Sequence, residues 1–257
     1  MTAPNHLDAD PPTDQIYDAN AEYYDTITRA RVAELDHLLT HIAARIDPNG
    51  PPVLDIGAGT GRLTVRLARL IAPCEIIAVE PSRSVRAILA ARLSDDDELD
   101  RQVTVVPRTL GAAVDLLPDE IGGAIAFGVL PHFDPADRRQ ALTLLAERLR
   151  PGARALVEVM PPWTTDPVPL SPMTSATAGR HHIDCDMRAE PVGHDGLLWT
   201  MSYRRTDEHG TLLHQAEASS RCWVVDPTTF TDEARTAGLD LTWPTDDVAD
   251  LVASRPT

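Results

Sequence analysis

Hydrophobic positions along the chain follow two rhythms. Over residues 32–46, Val32, Leu35, Leu38, Leu39, Ile42 and Ile46 recur at three- and four-residue intervals, which predicts an amphipathic helix. The breaker run Asp47-Pro48-Asn49-Gly50-Pro51-Pro52 ends it. Short continuous apolar runs then alternate with helical stretches, giving expected strands at 53–56, 75–79, 103–106, 122–129 and 155–160 and helices at 62–71, 81–93 and 137–149. Strands without polar alternation, each followed by a helix, are buried on both faces. The pattern predicts an α/β fold: a Rossmann-like seven-stranded, mostly parallel sheet with helices on both faces.

The rhythm changes after residue 160. Residues 161–179 read as a long Pro/Ser/Thr loop, and 197–205 and 212–225 as antiparallel strands turning at Glu208-His209-Gly210. A helix at 227–237 ends at Gly238, and strands at 239–243 and 250–255 close the chain. The expected organisation is a disordered tail at 1–14, a core of 15–160 with 227–257, and an antiparallel β insertion after the fifth strand at 161–226.

Composition narrows the partners. The chain of 257 residues is 43% hydrophobic but only 4% aromatic, so Leu, Val, Ile and Ala fill the core. All 23 basic residues are Arg, which excludes chemistry that needs a Schiff-base or phosphate-loop lysine. A net charge of −16 disfavours nucleic acid and anionic membranes, both of which need concentrated basic residues. No apolar run is long enough to span a bilayer, and the polar, acidic N-terminus lacks a signal-peptide pattern. Cys74, Cys185 and Cys222 show no paired spacing. The expectation is a soluble cytoplasmic protein, with the acidic run 95–98 as a solvated loop.

The most informative stretch is Val53-Leu54-Asp55-Ile56-Gly57-Ala58-Gly59-Thr60-Gly61, a strand running into a glycine turn and a helix. Such a turn lets a ligand approach bare backbone N–H groups at a helix N-terminus. Glu80 closes the next strand, where a carboxylate can accept hydrogen bonds from a ribose diol. The G-x-G-x-G spacing, preceded by Asp55, differs from the G-x-G-x-x-G of nicotinamide-dependent reductases.

With these motifs the chain resembles the class I S-adenosylmethionine-dependent methyltransferases, and particularly their small-molecule members that act on amino sugars and other secondary metabolites. The segment Ile16-Tyr17-Asp18-Ala19-Asn20-Ala21-Glu22-Tyr23-Tyr24-Asp25 is similar to the Tyr-Asp segment that precedes the core in those enzymes, and Leu149-Arg150-Pro151-Gly152-Ala153 to the loop before their fifth strand. The resemblance implies S-adenosylmethionine as cofactor and S-adenosylhomocysteine as product, held by Asp55, Gly57, Ala58, Gly59, Gly61, Glu80, Pro81, Thr109, Leu110, Phe127 and Gly128. It also implies a tyrosine folded over the cofactor's methionine end, Tyr24 first and Tyr17 second. Thr109 stands near the point where relatives often carry an acid for the adenine amino group.

His132, just past the fourth strand, is a candidate general base or substrate partner. Met160 and Trp163 form a candidate substrate wall, in a stretch similar to the Glu-Pro-Trp-Trp of amino-sugar N-methyltransferases. In Arg180-His181-His182-Ile183-Asp184-Cys185-Asp186, strand alternation puts His182, Asp184 and Asp186 on one face and His181 on the other. That favours substrate contact over a metal site, so no metal is expected; Tyr203 is a further candidate in the insertion, which the resemblance makes a lid or substrate wall. The expected reaction is N- or O-methylation of a small molecule in natural-product biosynthesis, by a homodimer that binds neither nucleic acid nor membrane. Alternatives are a non-methylating enzyme that uses the bound cofactor for cyclisation or related chemistry, and a non-catalytic ligand-binding module.

Overall fold

Apolar runs of four residues make the centre of the larger sheet. Strands β1 (Val53–Ile56), β2 (Ile76–Val79), β4 (Gly123–Ala126) and β5 (Ala155–Glu158) are buried along their whole length. With β3 (Val103–Val106) they form the parallel part of a seven-stranded sheet. The computed structural model describes residues 13–254, which divide into two units, one of 28–164 with 223–254 and one of 13–27 with 165–222.

In the first unit, alternate residues of each strand face opposite cores. Leu54, Ile56, Ile77, Val79, Ala126 and Val157 pack with Leu142 and Leu145 of α7 (Pro135–Arg148) and with Phe230 of α8 (Pro227–Thr236). Val53, Ile76, Ala78, Ile125 and Leu156 pack with Leu35, Leu39 and Ile42 of α2 (Arg29–Ala43) and with Leu67 and Ile71 of α3 (Arg62–Ile71). Helices α4 (Arg83–Ser94), α5 (Asp97–Gln102) and α6 (Leu110–Ala113) complete the connections. The hairpin of β10 (Leu239–Thr245) and β11 (Val248–Ala253) adds the edge, with β11 antiparallel to β5. The strand order is β10-β11-β5-β4-β1-β2-β3. Since β1 lies between β2 and β4, the order reverses there, and ligands of open α/β sheets bind beyond the strand ends at such a switch point.

The second unit is a four-stranded antiparallel sheet, β6 (Val168–Ala178), β7 (His181–Val192), β8 (Gly196–Thr206) and β9 (Leu212–Trp223) in that order. Helix α1 (Thr13–Ile27) packs on it, burying Tyr23 and Ile27 against Ile183, Cys185, Tyr203 and Ala218.

Several expectations are corrected. The stretch read as a loop at 161–179 contains β6, whose Pro169 and Pro172 masked it; an edge strand with register shifts tolerates proline. Helix α1 begins at Thr13, so residues 13 and 14 are helical, and residues 15–27 belong with the antiparallel sheet rather than the core because Tyr23 is anchored there. The acidic run 95–98 is partly helical: Asp96 caps α5 by accepting from the N–H groups of Glu98 and Leu99. Residues 1–12 of the expected tail and Arg255 of the last expected strand lie outside the described residues.

Arg138 of α7 is buried and bidentate to Glu233 of α8, with Nε–Oε2 at 2.5 Å and Nη2–Oε1 at 2.8 Å. Arg138→Met leaves that carboxylate only the exposed Arg139, 3.9 Å away, and is expected to cost about 3 kcal/mol in urea unfolding. Adding Glu233→Leu should recover most of it; equal losses in the single and double variants would contradict this.

Candidate active site

The turn after β1 is set by three glycines in the left-handed region, Gly57 at φ 73°, Gly59 at 56° and Gly61 at 79°. Space adds to the requirement. A Cβ on Gly57 would lie 2.6 Å from Cγ2 of Val129, and one on Gly61 would overlap Cδ1 of Leu89. The N–H groups of Gly57 and Ala58 both donate to the Val79 carbonyl, at 2.9 and 3.1 Å. The turn is thereby fastened to the end of β2, where Glu80 follows.

Glu80 is buried. Its Oε2 accepts from the Gly59 N–H at 2.8 Å and its Oε1 from the Ser82 N–H at 2.7 Å. Arg86 donates to the Glu80 and Pro81 carbonyls at 2.9 and 2.7 Å, which fixes the backbone on either side. These two N–H groups fix the direction of the carboxylate. Asp55 lies on β1 beneath the turn and accepts the Thr64 hydroxyl at 2.6 Å. Burial pushes its pKa up to about 7, against the Thr64 hydrogen bond and with help from the Glu80 charge.

Beyond β4, Phe127 is buried and Gly128 takes φ 67° with its N–H donated to Glu158 Oε2 at 2.7 Å. His132 ends the short 3-10 turn Leu130–His132 and is half-buried. Desolvation lowers its pKa from the usual histidine value, so it is neutral at neutral pH and able to accept a proton. Thr109 caps α6, its hydroxyl accepting the Ala112 N–H at 3.4 Å, while the Leu110 side chain enters the core. Pro81 and Met160 are half-buried. Trp163 is 36% exposed, donates Nε1–H to the Val159 carbonyl at 3.0 Å, and lines a pocket of about 420 Å³ with Arg31, Leu35, Pro161 and Asp247.

The remaining candidates lie in the other unit. Tyr17 and Tyr24 pack edge to face on α1, 5.9 Å apart. Register puts His182 and Tyr203 on opposite faces of the antiparallel sheet, since His182 pairs with Thr206 and Cys185 with Tyr203. Tyr203 is fully buried, stacked at 5.1 Å on Tyr23 with burial raising its pKa, so its expected role as a substrate contact gives way to a packing role. His182 is exposed on the polar face with Asp184 and Asp186, whose carboxylates lie 3.9 and 3.3 Å from Arg204. Among the described residues no group of His, Cys, Asp and Glu could hold a metal ion, and no helix is long and apolar enough to cross a membrane.

Four participants carried no motif. Val129 and Leu89 read as ordinary core residues until the glycines beneath them are seen. Arg31 and Asp247 stand at the start of α2 and in the β10–β11 turn, remote in sequence from Glu158, which Arg31 joins to Asp247.

Residues 53–152 match the family model described as a methyltransferase domain. A tRNA (guanine-N(7)-)-methyltransferase of Mycolicibacterium gilvum is 30% identical over 40% of this chain, and an uncharacterized methyltransferase of Geobacillus kaustophilus 31% over 54%. The chain spans only 44% and 59% of those relatives' lengths. Among solved structures, the CcbJ methyltransferase of Streptomyces caelestis superimposes with a TM-score of 0.68 at 20% identity, covering 94% of this chain and 97% of that one. CalS10 of Micromonospora echinaspora, an amino pentose methyltransferase solved with bound S-adenosylmethionine, gives 0.66 at 14%, covering 96% and 100%. At these identities the structures establish the fold.

The domain implies S-adenosylmethionine, and the residues present fit it. The turn has no side chain at Gly57, Gly59 or Gly61, and the Glu80 carboxylate beside it, oriented by the Gly59 and Ser82 N–H groups, is the acceptor type a ribose diol needs. Asp55 lies buried at the end of β1 before the turn, held by the Thr64 hydroxyl.

Because the folded state raises the Asp55 pKa above its unfolded value, the folded chain holds that proton more tightly than the unfolded chain. The associated stability is full below about pH 4 and is lost as pH rises through about 7. Urea unfolding of the ligand-free protein from pH 5 to 8 should show wild type losing stability relative to Asp55→Asn. A constant difference would contradict the raised pKa.

Proposed function

We propose that this chain, which carries a methyltransferase domain at residues 53–152, transfers a methyl group from S-adenosylmethionine to a small-molecule acceptor in secondary metabolism. The observation that carries the reading is Glu80, placed by the Gly59 and Ser82 N–H groups at the end of β2 beside a left-handed glycine turn. The bound cofactor supplies an electrophilic sulfonium methyl group.

The chain's own residues then have three tasks. The Gly57–Gly61 turn and Glu80 orient the cofactor. Phe127 and Leu130 close the buried side of the loop after β4 and exclude water there. Neutral His132 takes a proton from an acceptor hydroxyl; for an amine it serves as a hydrogen-bond partner.

Three features support a small acceptor of amine character. The chain's net charge of −16 suits a cation and repels a polyanion. The Trp163 pocket has the size of a small-molecule site and includes Glu34 and Asp246 in its lining. The structural neighbour CalS10 methylates an amino pentose. The tRNA substrate of the Mycolicibacterium relative is not carried over, since that match covers 40% of this chain.

Titration calorimetry with S-adenosylhomocysteine tests the site. Glu80→Ala should weaken binding by about 1.5–3 kcal/mol, the range for charge-assisted hydrogen bonds; unchanged affinity would remove the ribose assignment. For the base, turnover of an amino-sugar and phenol panel is to be followed against pH. The wild-type rate on a hydroxyl acceptor should fall on the acid side with an apparent pKa below the usual histidine value. His132→Gln should lose that limb, and a profile unaltered by the substitution excludes the base role.

A further inference from the structure

Glu158 is a charged side chain at the end of β5, 3% exposed and outside the matched domain. Its two oxygens face different donors. Oε2 accepts the Gly128 N–H at 2.7 Å. Oε1 accepts Arg31 Nε at 2.8 Å and Nη2 as well. The same Nη2 reaches Asp247 Oδ2 at 2.5 Å, and Asp247 is fixed in turn by the Thr245 hydroxyl at 2.9 Å and, through its carbonyl, by the Val159 N–H at 2.7 Å. The start of α2, the end of β5 and the β10–β11 turn thus converge on one backbone amide after β4.

That amide occupies a sensitive place. Gly128 is in the left-handed region with nothing near its absent Cβ, so backbone conformation rather than packing requires glycine there. The next residue, Val129, covers Gly57 of the cofactor turn, and His132 follows one short turn later. Movement of Gly128 would shift both the cover of the cofactor turn and the candidate base.

The donor set demands a carboxylate. Both oxygens must accept, since Gly128 and Arg31 only donate. A glutamine would turn its NH₂ toward one of them and lose that contact. Burial raises the Glu158 pKa, while the Arg31 charge, the Arg31 hydrogen bonds and the Gly128 N–H pull it down.

We propose that Glu158, clamped by Arg31 and Asp247, is a positioning residue that holds the Gly128–His132 loop against the cofactor turn. This rests on the methyltransferase reading, and it places part of the active-site geometry in α2 and the β10–β11 turn.

Arg31 is accessible to chemistry. Its side chain is 39% exposed and lines the pocket of about 420 Å³ beside Trp163, large enough for a small guanidinium. The test uses the full-length protein as wild type, Glu158→Gln and Arg31→Ala. Three quantities are measured: S-adenosylhomocysteine affinity by calorimetry, hydrogen exchange of the peptide spanning 127–133, and thermal midpoint.

Both variants should bind S-adenosylhomocysteine on the order of tenfold more weakly, the effect of losing one buried charge-assisted contact. Exchange at 127–133 should quicken while peptides of β1 and α3 keep wild-type rates. Ethylguanidine should restore affinity and slow exchange in Arg31→Ala but not in Glu158→Gln, and ethylammonium, which lacks the planar fork, should do neither.

Wild-type affinity together with wild-type exchange at 127–133 in either variant overturns the proposal. So does quickened exchange throughout β1 and α3, which marks a general loss of stability. If the wild type itself fails to bind S-adenosylhomocysteine, the function proposed above falls. Exchange and ethylguanidine rescue in the ligand-free variants then decide the clamp separately.

Discussion

The arrangement depends on one close approach, the absence of side-chain atoms where the chain leaves β1. Gly57 lies beneath Val129 with no room for a methyl group, and Gly61 lies beneath Leu89 in the same way. Each also has a backbone conformation that costs other residues of order 1–3 kcal/mol. The two contacts face opposite sides of the switch point, Val129 from the β4 side and Leu89 from α4 behind β2. The turn therefore sets the spacing between the loop after β4 on one side and α4 on the other.

Three buried carboxylates stand along this end of the sheet, and each is compensated differently. Asp55 has one hydroxyl donor and a pKa raised to about 7, so near neutral pH it is poised between proton and charge. Glu80 has two backbone N–H groups, whose partial charges do not move. Glu158 has a full cation and a backbone N–H. Burial of a carboxylate costs several kcal/mol unless such partners repay it. Arginine suits the third position because one planar group meets three carboxylates at once, Glu158, Asp247 and the neighbouring Glu34, which the single ammonium of a lysine would not match in direction. In a chain whose basic residues are all arginine, that geometry is built from the one cation in use.

Legibility in the sequence followed the range of the interactions. The parallel strands were readable because burial on both faces leaves runs such as Ile76–Val79 with no polar interruption. The glycine turn and Glu80 were readable because their partners are close in sequence and their spacing is fixed by a strand, a turn and a helix. Strand β6 was not, since its prolines speak against a strand until it is known to lie at an edge. Nor was the home of α1: the segment that holds Tyr23 does not show which sheet it packs on, and its partner Tyr203 is remote in sequence. Tyr203 looked like a pocket residue for the same reason, because strand alternation says two residues share a face without saying which face is covered.

The same distinction separates the two halves of the proposed chemistry. The glycine turn, Glu80 and the loop after β4 lie inside the stretch that matches the methyltransferase domain. The Trp163 pocket and the Glu158 clamp are assembled from the start of α2, the end of β5 and the β10–β11 turn, all outside it. A local cofactor unit tolerates change elsewhere, since its contacts close on themselves through Val79, Glu80 and Ser82. An acceptor site built from distant segments changes whenever one of them does. On the function proposed above, acceptor identity is to be sought in the chemistry of Arg31, Trp163, Asp246 and Asp247 rather than in the glycine motif.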